Sequence, residues 1–219
     1  MAIQVQGNSG TVAEVDGTNF RAMRVVQRPV DHGSFGQYQL STSIGLATTQ
    51  NANGTLFSFR WGDASRLCLI QTVRLEVQQT AAATATIAPA FEVLIARSFT
   101  ASDSSGTALT LTGNAFKKRT AMGSTLVTDI RKSSAAAGLT AGTRTLDSEP
   151  IMQVGAIQTI TNINTTTYGK TLDFTDGMDH PLVLSQNEGF IVRGPTTAFG
   201  AAGTANLLVE IQWVELTAY

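Results

Sequence analysis

Apolar and polar residues alternate with a period of two along much of this chain. Such alternation places successive side chains on opposite faces of a strand, so it predicts strands with one buried and one solvated face. The longest example is 66–78, and 91–99, 189–193 and 206–215 repeat it. In 66–78 the predicted buried face consists of odd-numbered residues: Leu67, Leu69, Val73, Leu75 and Val77. Convincing helical periodicity is scarce.

Aromatic residues follow the same alternation. Phe57, Phe59 and Trp61 occupy every second position of 56–61, and Trp213 continues the apolar face of 206–215. We therefore expect both tryptophans to lie in the core or at a boundary between sheets. Weaker alternation predicts four further strands, near 20–28, 36–43, 151–163 and 181–185.

Short segments rich in Gly, Asn, Asp and Ser separate these strands, and no helices alternate with them. Many strands with this punctuation predict an all-β fold, an antiparallel β-sandwich or a barrel, rather than an α/β fold. A length of 219 residues suits a single domain. We assign the sandwich domain to residues 20–219.

Two segments depart from the strand pattern. Residues 1–19 hold too few apolar residues to pack alone, so we expect an extended N-terminal arm that pairs with another chain or with the sheet edge. Residues 100–149 are rich in Thr, Ala, Ser and Gly. They predict a long insertion between core strands, with one short helical turn, that contacts a neighbouring subunit.

Composition narrows the classes of function. Hydrophobic residues make up 42% of the chain and charged residues 14%, so Thr, Ser, Asn and Gln must build much of the surface. Such a surface suits packing against other subunits. The net charge of −1 supplies no field for nucleic acid or an anionic membrane, so we expect neither as a partner. No stretch approaches the ~20 apolar residues of a membrane span. The N-terminus lacks the features of a signal peptide, and we expect no classical secretion.

Residues that could carry chemistry are few. The single cysteine, Cys68, lies in an apolar run, which predicts a buried, inert thiol. A lone cysteine also indicates that the chain is synthesised in a reducing cytosol. His32 and His180 lie in turn-like contexts and are interpreted as solvated loop residues. Asp173, Asp176 and Asp179 are spaced by threes and could form an oxygen-rich calcium loop, but this spacing does not match the alternating ligands of an EF-hand, so we interpret them as solvated turn carboxylates. We assign no catalytic, cofactor-binding or metal-binding residue and expect no enzyme activity.

Two further clusters have alternative interpretations. Lys117, Lys118 and Arg119 form a basic spot, which we interpret as a solvated loop or as an ion-pair donor to a neighbouring subunit rather than a DNA contact. The aromatic set at 57, 59 and 61 could instead be a platform for stacking sugars. An enzyme that cleaves polysaccharides would need a cleft with paired carboxylates, which a sequence cannot reveal.

Residues 54–66, which contain Phe57, Phe59 and Trp61, resemble a segment of structural proteins from tailed bacteriophages. In those phage proteins the segment follows a strand rich in Gly, Tyr and Ser, which residues 36–41 match here. Residues 99–107 and 141–147 are also similar to segments of the same group. The closing strand, 208–215, resembles the last strand of many viral jelly rolls. The resemblance implies a virion protein with a jelly-roll-like β-sandwich.

From this resemblance we expect a capsid decoration or cement protein, a minor capsid component that stabilises the head without catalysing a reaction. Its partners would be the major capsid protein and copies of itself, in a homo-oligomer such as a trimer. It would be assembled in the host cytoplasm and reside in the virion, with the arm and the insertion making the contacts. The alternative is a tail- or fibre-associated host-recognition module that binds a glycan through exposed aromatic residues.

Overall fold

The fold is all-β. A computed structural model describes residues 36–46, 51–83, 88–134, 138–157, 167–174, 182–196 and 204–216, and these residues contain strands and turns but no helix. The chain divides into Met1–Asp31 and His32–Tyr219, and every described residue belongs to the second unit. The predicted arm, 1–19, and the predicted strand near 20–28 lie outside the described residues.

Twelve strands are described. In chain order they are β1 (Gln37–Leu46), β2 (Thr55–Trp61), β3 (Leu67–Ala81), β4 (Ala90–Arg97), β5 (Thr107–Ala108), β6 (Asp129–Lys132), β7 (Thr145–Leu146), β8 (Met152–Gly155), β9 (Thr167–Asp173), β10 (Leu182–Leu184), β11 (Glu188–Arg193) and β12 (Thr204–Leu216).

The strands form two antiparallel sheets. Sheet 1 has the order β1-β12-β3, and β9 and β10 both pair with the other edge of β3. Sheet 2 has the order β5-β6-β2-β11-β4, and β7 and β8 both pair with the other edge of β4. The first four strands alternate between the sheets, so β1 and β3 lie in sheet 1 and β2 and β4 in sheet 2. The predicted antiparallel β-sandwich is confirmed.

The core lies between the two sheets and is rich in aromatic side chains. Trp61 from β2 and Trp213 from β12 are fully buried, as the alternation predicted. Each indole N–H has an acceptor, because Trp61 Nε1 donates to the Arg66 carbonyl at 3.1 Å and Trp213 Nε1 donates to Glu215 Oε1 at 3.3 Å. A buried indole whose N–H is satisfied contributes its full apolar area at little polar cost.

The long strand β3 departs from its predicted face at one end. Val73, Leu75 and Val77 lie in the core as predicted, but at the start of the strand the core residues are Cys68 and Ile70. Thr72 pairs with Gln212 and Ile70 with Trp213, so Gln71 is an extra residue opposite β12. A bulge of one residue moves the following side chains to the other face. The prediction that Leu67 and Leu69 share the core face is therefore wrong, although Leu69 is buried outside the core cluster.

The insertion, 100–149, is part of the sandwich. It supplies β5, β6 and β7 to sheet 2, and Ile130 of β6 lies in the core. Residues 116–118 run along the free edge of β1, where the Gln39 N–H donates to the Phe116 carbonyl at 2.8 Å and the Lys118 N–H to the Gln37 carbonyl at 3.1 Å. The described part of the insertion contains hydrogen-bonded turns, such as the one in which the Ala115 N–H donates to the Thr112 carbonyl, but no helix.

Candidate functional site

The outer face of sheet 1 carries a polar groove with a volume of about 360 Å³. It arises from the period-two alternation, because Leu40, Val73 and Ile211 point into the core and their neighbours point outward. Antiparallel pairing places the outward side chains of β1, β12, β3 and β9 in adjacent rows. We call this surface the outer groove; its outward side chains are Gln39, Ser41, Thr72, Arg74, Thr171, Glu210 and Gln212.

Arg74 is the centre of charge in the outer groove. Its guanidinium lies 2.6 Å from Glu76 Oε2 and 3.3 Å from Glu210 Oε2, so one cation holds two carboxylates. Both contacts are exposed to solvent, and exposed pairs contribute about 0–1 kcal/mol each. Most of the remaining groups are neutral amides and hydroxyls, which both donate and accept hydrogen bonds. The outer groove therefore presents mainly neutral hydrogen-bonding groups around one charged cluster.

Lys118, from the basic cluster at 117–119, contacts a residue of the outer groove. Lys118 donates from Nζ to Gln212 Oε1 at 2.7 Å, and Lys117 donates to Asn114 Oδ1 at 3.3 Å within its own loop. The interpretation of a loop location holds, and the insertion joins the groove through Lys118. No sequence pattern links positions 118 and 212, because only the fold of the insertion over β1 brings them together.

The insertion is also held to the outer side of sheet 2. Arg60 of β2 donates from Nε to the Phe99 carbonyl at 2.6 Å, from Nη2 to the Thr100 carbonyl at 2.7 Å and from Nη1 to Ser102 Oγ at 3.0 Å. Three charge-assisted bonds from one planar guanidinium fix both the position and the direction of this segment. The start of the insertion is therefore attached to the sheet.

Asp103 and Arg144 form a buried ion pair within the insertion. The exposed fraction of their side chains is 0% and 4%. Asp103 Oδ1 accepts the Gly142 N–H at 2.8 Å, and Arg144 donates to Thr55 Oγ1 at 3.0 Å and lies over the Phe99 ring. Burial lowers the pKa of Arg144 below its ordinary value. The pair therefore joins the two ends of the insertion, although Asp103 Oδ2 is buried without a hydrogen-bond partner.

A second buried carboxylate, Glu215, closes the other side of the insertion onto β12. It accepts hydrogen bonds from Thr125 Oγ1 at 2.5 Å, from the Leu126 N–H at 3.0 Å and from Trp213 Nε1. Burial raises the pKa of Glu215 despite these hydrogen bonds. Sequence alone does not single out Glu215, because Thr125 and Leu126 lie about ninety positions away in the chain.

Of the residues considered for chemistry, the structure describes Cys68 and Asp173. Cys68 is buried, and burial raises the pKa of its thiol well above the usual range, which keeps it protonated. Asp173 ends β9, whereas His32, His180, Asp176 and Asp179 lie outside the described residues. Within the described ranges, no group of three or more His, Cys, Asp or Glu side chains could hold a metal ion.

The aromatic side chains considered as a sugar platform lie in the core. Phe57, Phe59 and Trp61 are fully buried, and Phe59 stacks on Phe190 with ring centroids 5.2 Å apart. Their interpretation as an inner face is confirmed. Among the described residues, the exposed large hydrophobic side chains are Ile151 and Ile157. No described helix has the length and apolar character needed to cross a membrane.

Comparisons with known proteins identify no family. No family model matches the sequence, and no curated protein matches it significantly. A chain in a solved structure, described as the structure of infectious bursal disease virus Gx strain, is 14% identical, with a TM-score of 0.14. The similarity covers 83% of this chain but 38% of that one, so this chain spans well under half of its length. A TM-score this low carries no argument. Fold and surface define a class, the two-sheet antiparallel β-sandwich with a polar outer groove.

Proposed function

We propose that this protein is a non-enzymatic structural component of a tailed-phage virion, a decoration or cement protein of the capsid. The observation that carries the proposal is the strand order. One sheet has the order β1-β12-β3-β9/β10, and the other has the order β5-β6-β2-β11-β4-β7/β8. This is the order expected of a jelly roll built from two Greek keys, an architecture common among viral capsid proteins. The resemblance of 54–66 to phage structural proteins supports the same class.

The surface supports the proposal independently of the fold, which alone hosts many functions. Charged residues form 14% of the chain, and the outer groove presents mainly amides and hydroxyls. The cores of protein interfaces are likewise depleted of charged residues. On a symmetric shell, many such contacts act together, so a modest affinity at each junction gives durable attachment.

The insertion is the described part best suited to contact the shell. Arg60 attaches its start to sheet 2, the Asp103–Arg144 pair joins its two ends, and Glu215 holds its middle at β12. Its exposed loops are therefore presented on a fixed base, which lowers the entropy lost on binding. The proposed partners are the major capsid protein and further copies of this chain.

Electron cryo-microscopy of the phage particle that carries this protein tests the proposal. We expect density for the sandwich on the capsid surface, repeated at equivalent lattice positions and in contact with major capsid subunits. Density confined to the tail or fibres would overturn the decoration role, and so would absence of the protein from purified particles.

A second candidate is a host-recognition module on a tail or fibre. The outer groove is the observation in its favour, because its amides, hydroxyls and Arg74 can bond the hydroxyl groups of a sugar. A glycan array with the purified protein tests it. Binding that is lost in Gln212→Ala and retained in Thr110→Ala, an exposed substitution outside the groove, would favour this candidate over the first.

A further inference from the structure

Within the part of the chain that the structure describes, one edge of sheet 2 lacks the features that normally protect a strand edge. β8 pairs with β4, and no described strand pairs with its other edge. The segment 151–157, which contains β8, carries no charged residue and no proline. Strand edges in monomeric proteins usually carry charges, proline, bulges or a covering segment, because a bare edge pairs with other chains.

Other edges of the two sheets are protected. Residues 116–118 of the insertion cover the edge of β1 with backbone hydrogen bonds. β5, β7 and β10 are two or three residues long, and β9 carries Lys170 and Asp173. The bare edge at β8 is thus specific to this position among the described strands.

Side chains in 151–157 alternate strictly between the two faces. Met152, Val154 and Ala156 lie in the core, whereas Ile151, Gln153, Gly155 and Ile157 are exposed. Ile151 and Ile157 are 37% and 47% exposed, and they are the exposed large hydrophobic residues of the described chain. They lie three positions before and three positions after Val154.

We propose that β8 pairs antiparallel with β8 of a second copy of this chain, about a twofold axis at Val154. This register places Ile151 of each copy opposite Ile157 of the other and Gln153 opposite Gly155, so core-facing residues meet core-facing residues. Opposed side chains in an antiparallel pair are about 4.5–5.5 Å apart, which brings the two exposed isoleucines into contact. The two copies then share one continuous sheet through an isologous interface.

Charge and space at the edge both suit a second copy. Because 151–157 is uncharged, the two paired segments bring no like charges of their own together. A Cβ atom at Gly155 would meet nothing within 4 Å, which leaves room for the opposing Gln153. A cavity of about 350 Å³ also opens beside the edge, between β8 and Tyr168, Gly169 and Lys170 of β9. This interface does not depend on the proposed function.

Paired charge substitutions in the full chain test both the interface and its register. In sedimentation velocity, we expect the wild type to show a concentration-dependent equilibrium between monomer and dimer. The double variant Ile151→Lys/Ile157→Lys sets lysine against lysine twice and should remain monomeric. The double variant Ile151→Glu/Ile157→Lys sets opposite charges against each other twice and should dimerise. Thr110→Lys, an exposed substitution in the insertion, should behave as the wild type.

Cysteine pairing gives a second measurement that does not rely on charge. Ile151→Cys and Ile157→Cys chains should form an intermolecular disulfide when mixed with diamide as oxidant, and neither should do so alone, because each position faces the other. A wild type that stays monomeric at every soluble concentration overturns the proposal. So does association that survives the two lysines, open-ended aggregation in place of a dimer, or disulfides that form equally well within either single variant.

Discussion

Phe59 of β2 meets Trp213 of β12 edge to face across the two sheets, with ring centroids 5.5 Å apart and ring planes at 76°. Trp213 also stacks on Tyr38 of β1, and Phe59 stacks on Phe190 of β11. One continuous chain of rings therefore joins four strands from both sheets. Such ring pairs contribute about 0.5–1.5 kcal/mol each beyond the area they bury.

Truncation of Trp213 removes the middle of this chain of rings. We expect Trp213→Ala to lower the free energy of unfolding by about 3–5 kcal/mol, because it leaves a cavity between the sheets. Trp61→Ala should cost a similar amount, since Trp61 is also fully buried. Urea denaturation followed by circular dichroism measures both. Trp213→Phe, which keeps a ring, should cost less, and an alanine variant as stable as the wild type would contradict the assignment of the core.

Cys68 should be inert in the folded protein. The thiol is buried in the core cluster, and burial raises its pKa, so both access and thiolate formation are suppressed. We expect the reagent DTNB to label Cys68 only after denaturation. A control variant with an exposed thiol, Thr110→Cys, should be labelled rapidly in the native state. Equally rapid native labelling of Cys68 would show that the register around the Gln71 bulge is incorrect.

Glu215 should make stability depend on pH. Its folded pKa is raised above the ordinary value of 4.5, so the folded state binds its proton more tightly than the unfolded state does. The resulting stabilisation is complete below the unfolded pKa and is lost as the pH rises through the folded pKa. We therefore expect the stability of the wild type to fall as the pH rises above 4.5. Glu215→Gln cannot ionise at this position and should lack this fall.

Thermal unfolding of both proteins over a series of pH values measures this difference. Glu210→Gln serves as a control. The Glu210 side chain is 45% exposed, and its ion pair is with the solvated guanidinium of Arg74. If Glu215→Gln and the wild type show parallel pH profiles, Glu215 is not the group responsible.

The buried Asp103–Arg144 pair should be costly to break and inexpensive to replace. Removal of one partner leaves a buried charge unpaired, so we expect Arg144→Ala to lower the free energy of unfolding by about 3–5 kcal/mol. The double variant Asp103→Leu/Arg144→Met should recover much of that loss. Asp147→Ala breaks an exposed pair with Arg97 and should cost about 1 kcal/mol or less. Equal losses in Arg144→Ala and Asp147→Ala by chemical denaturation would argue against a buried pair.

The N-terminal arm predicted from the sequence should serve attachment rather than folding. Deletion of residues 1–19 should leave the circular dichroism spectrum unchanged, because the core residues in the described ranges all follow residue 36. The same deletion should weaken the binding of this protein to capsids that lack it, as measured by co-sedimentation with the full chain as control. Full occupancy by the truncated protein would instead make the insertion, 100–149, the leading anchor.

Local pattern determined the fold class and most of the core. A strand exposes its two faces alternately whatever it pairs with, so the alternation at Phe57, Phe59 and Trp61, and again at Trp213, predicted strands and buried aromatic residues correctly. The predicted strands near 36–43 and 181–185 correspond to β1 and β10, and the first part of 151–163 corresponds to β8. These features depend on neighbours a few residues apart, which a single sequence displays directly.

Tertiary structure alone decided the features that join distant residues. The bulge at Gln71 exists because β12 offers one residue fewer at that point, and nothing near Leu67 or Leu69 signals it. The strands of the insertion were not predicted, because they are only two to four residues long, too short for a period to show. The ion pair of Asp103 with Arg144 likewise depends on pairing between segments far apart in the chain. Alternation specifies which face of a strand is apolar, whereas the packing of the whole domain selects the strands with which it pairs.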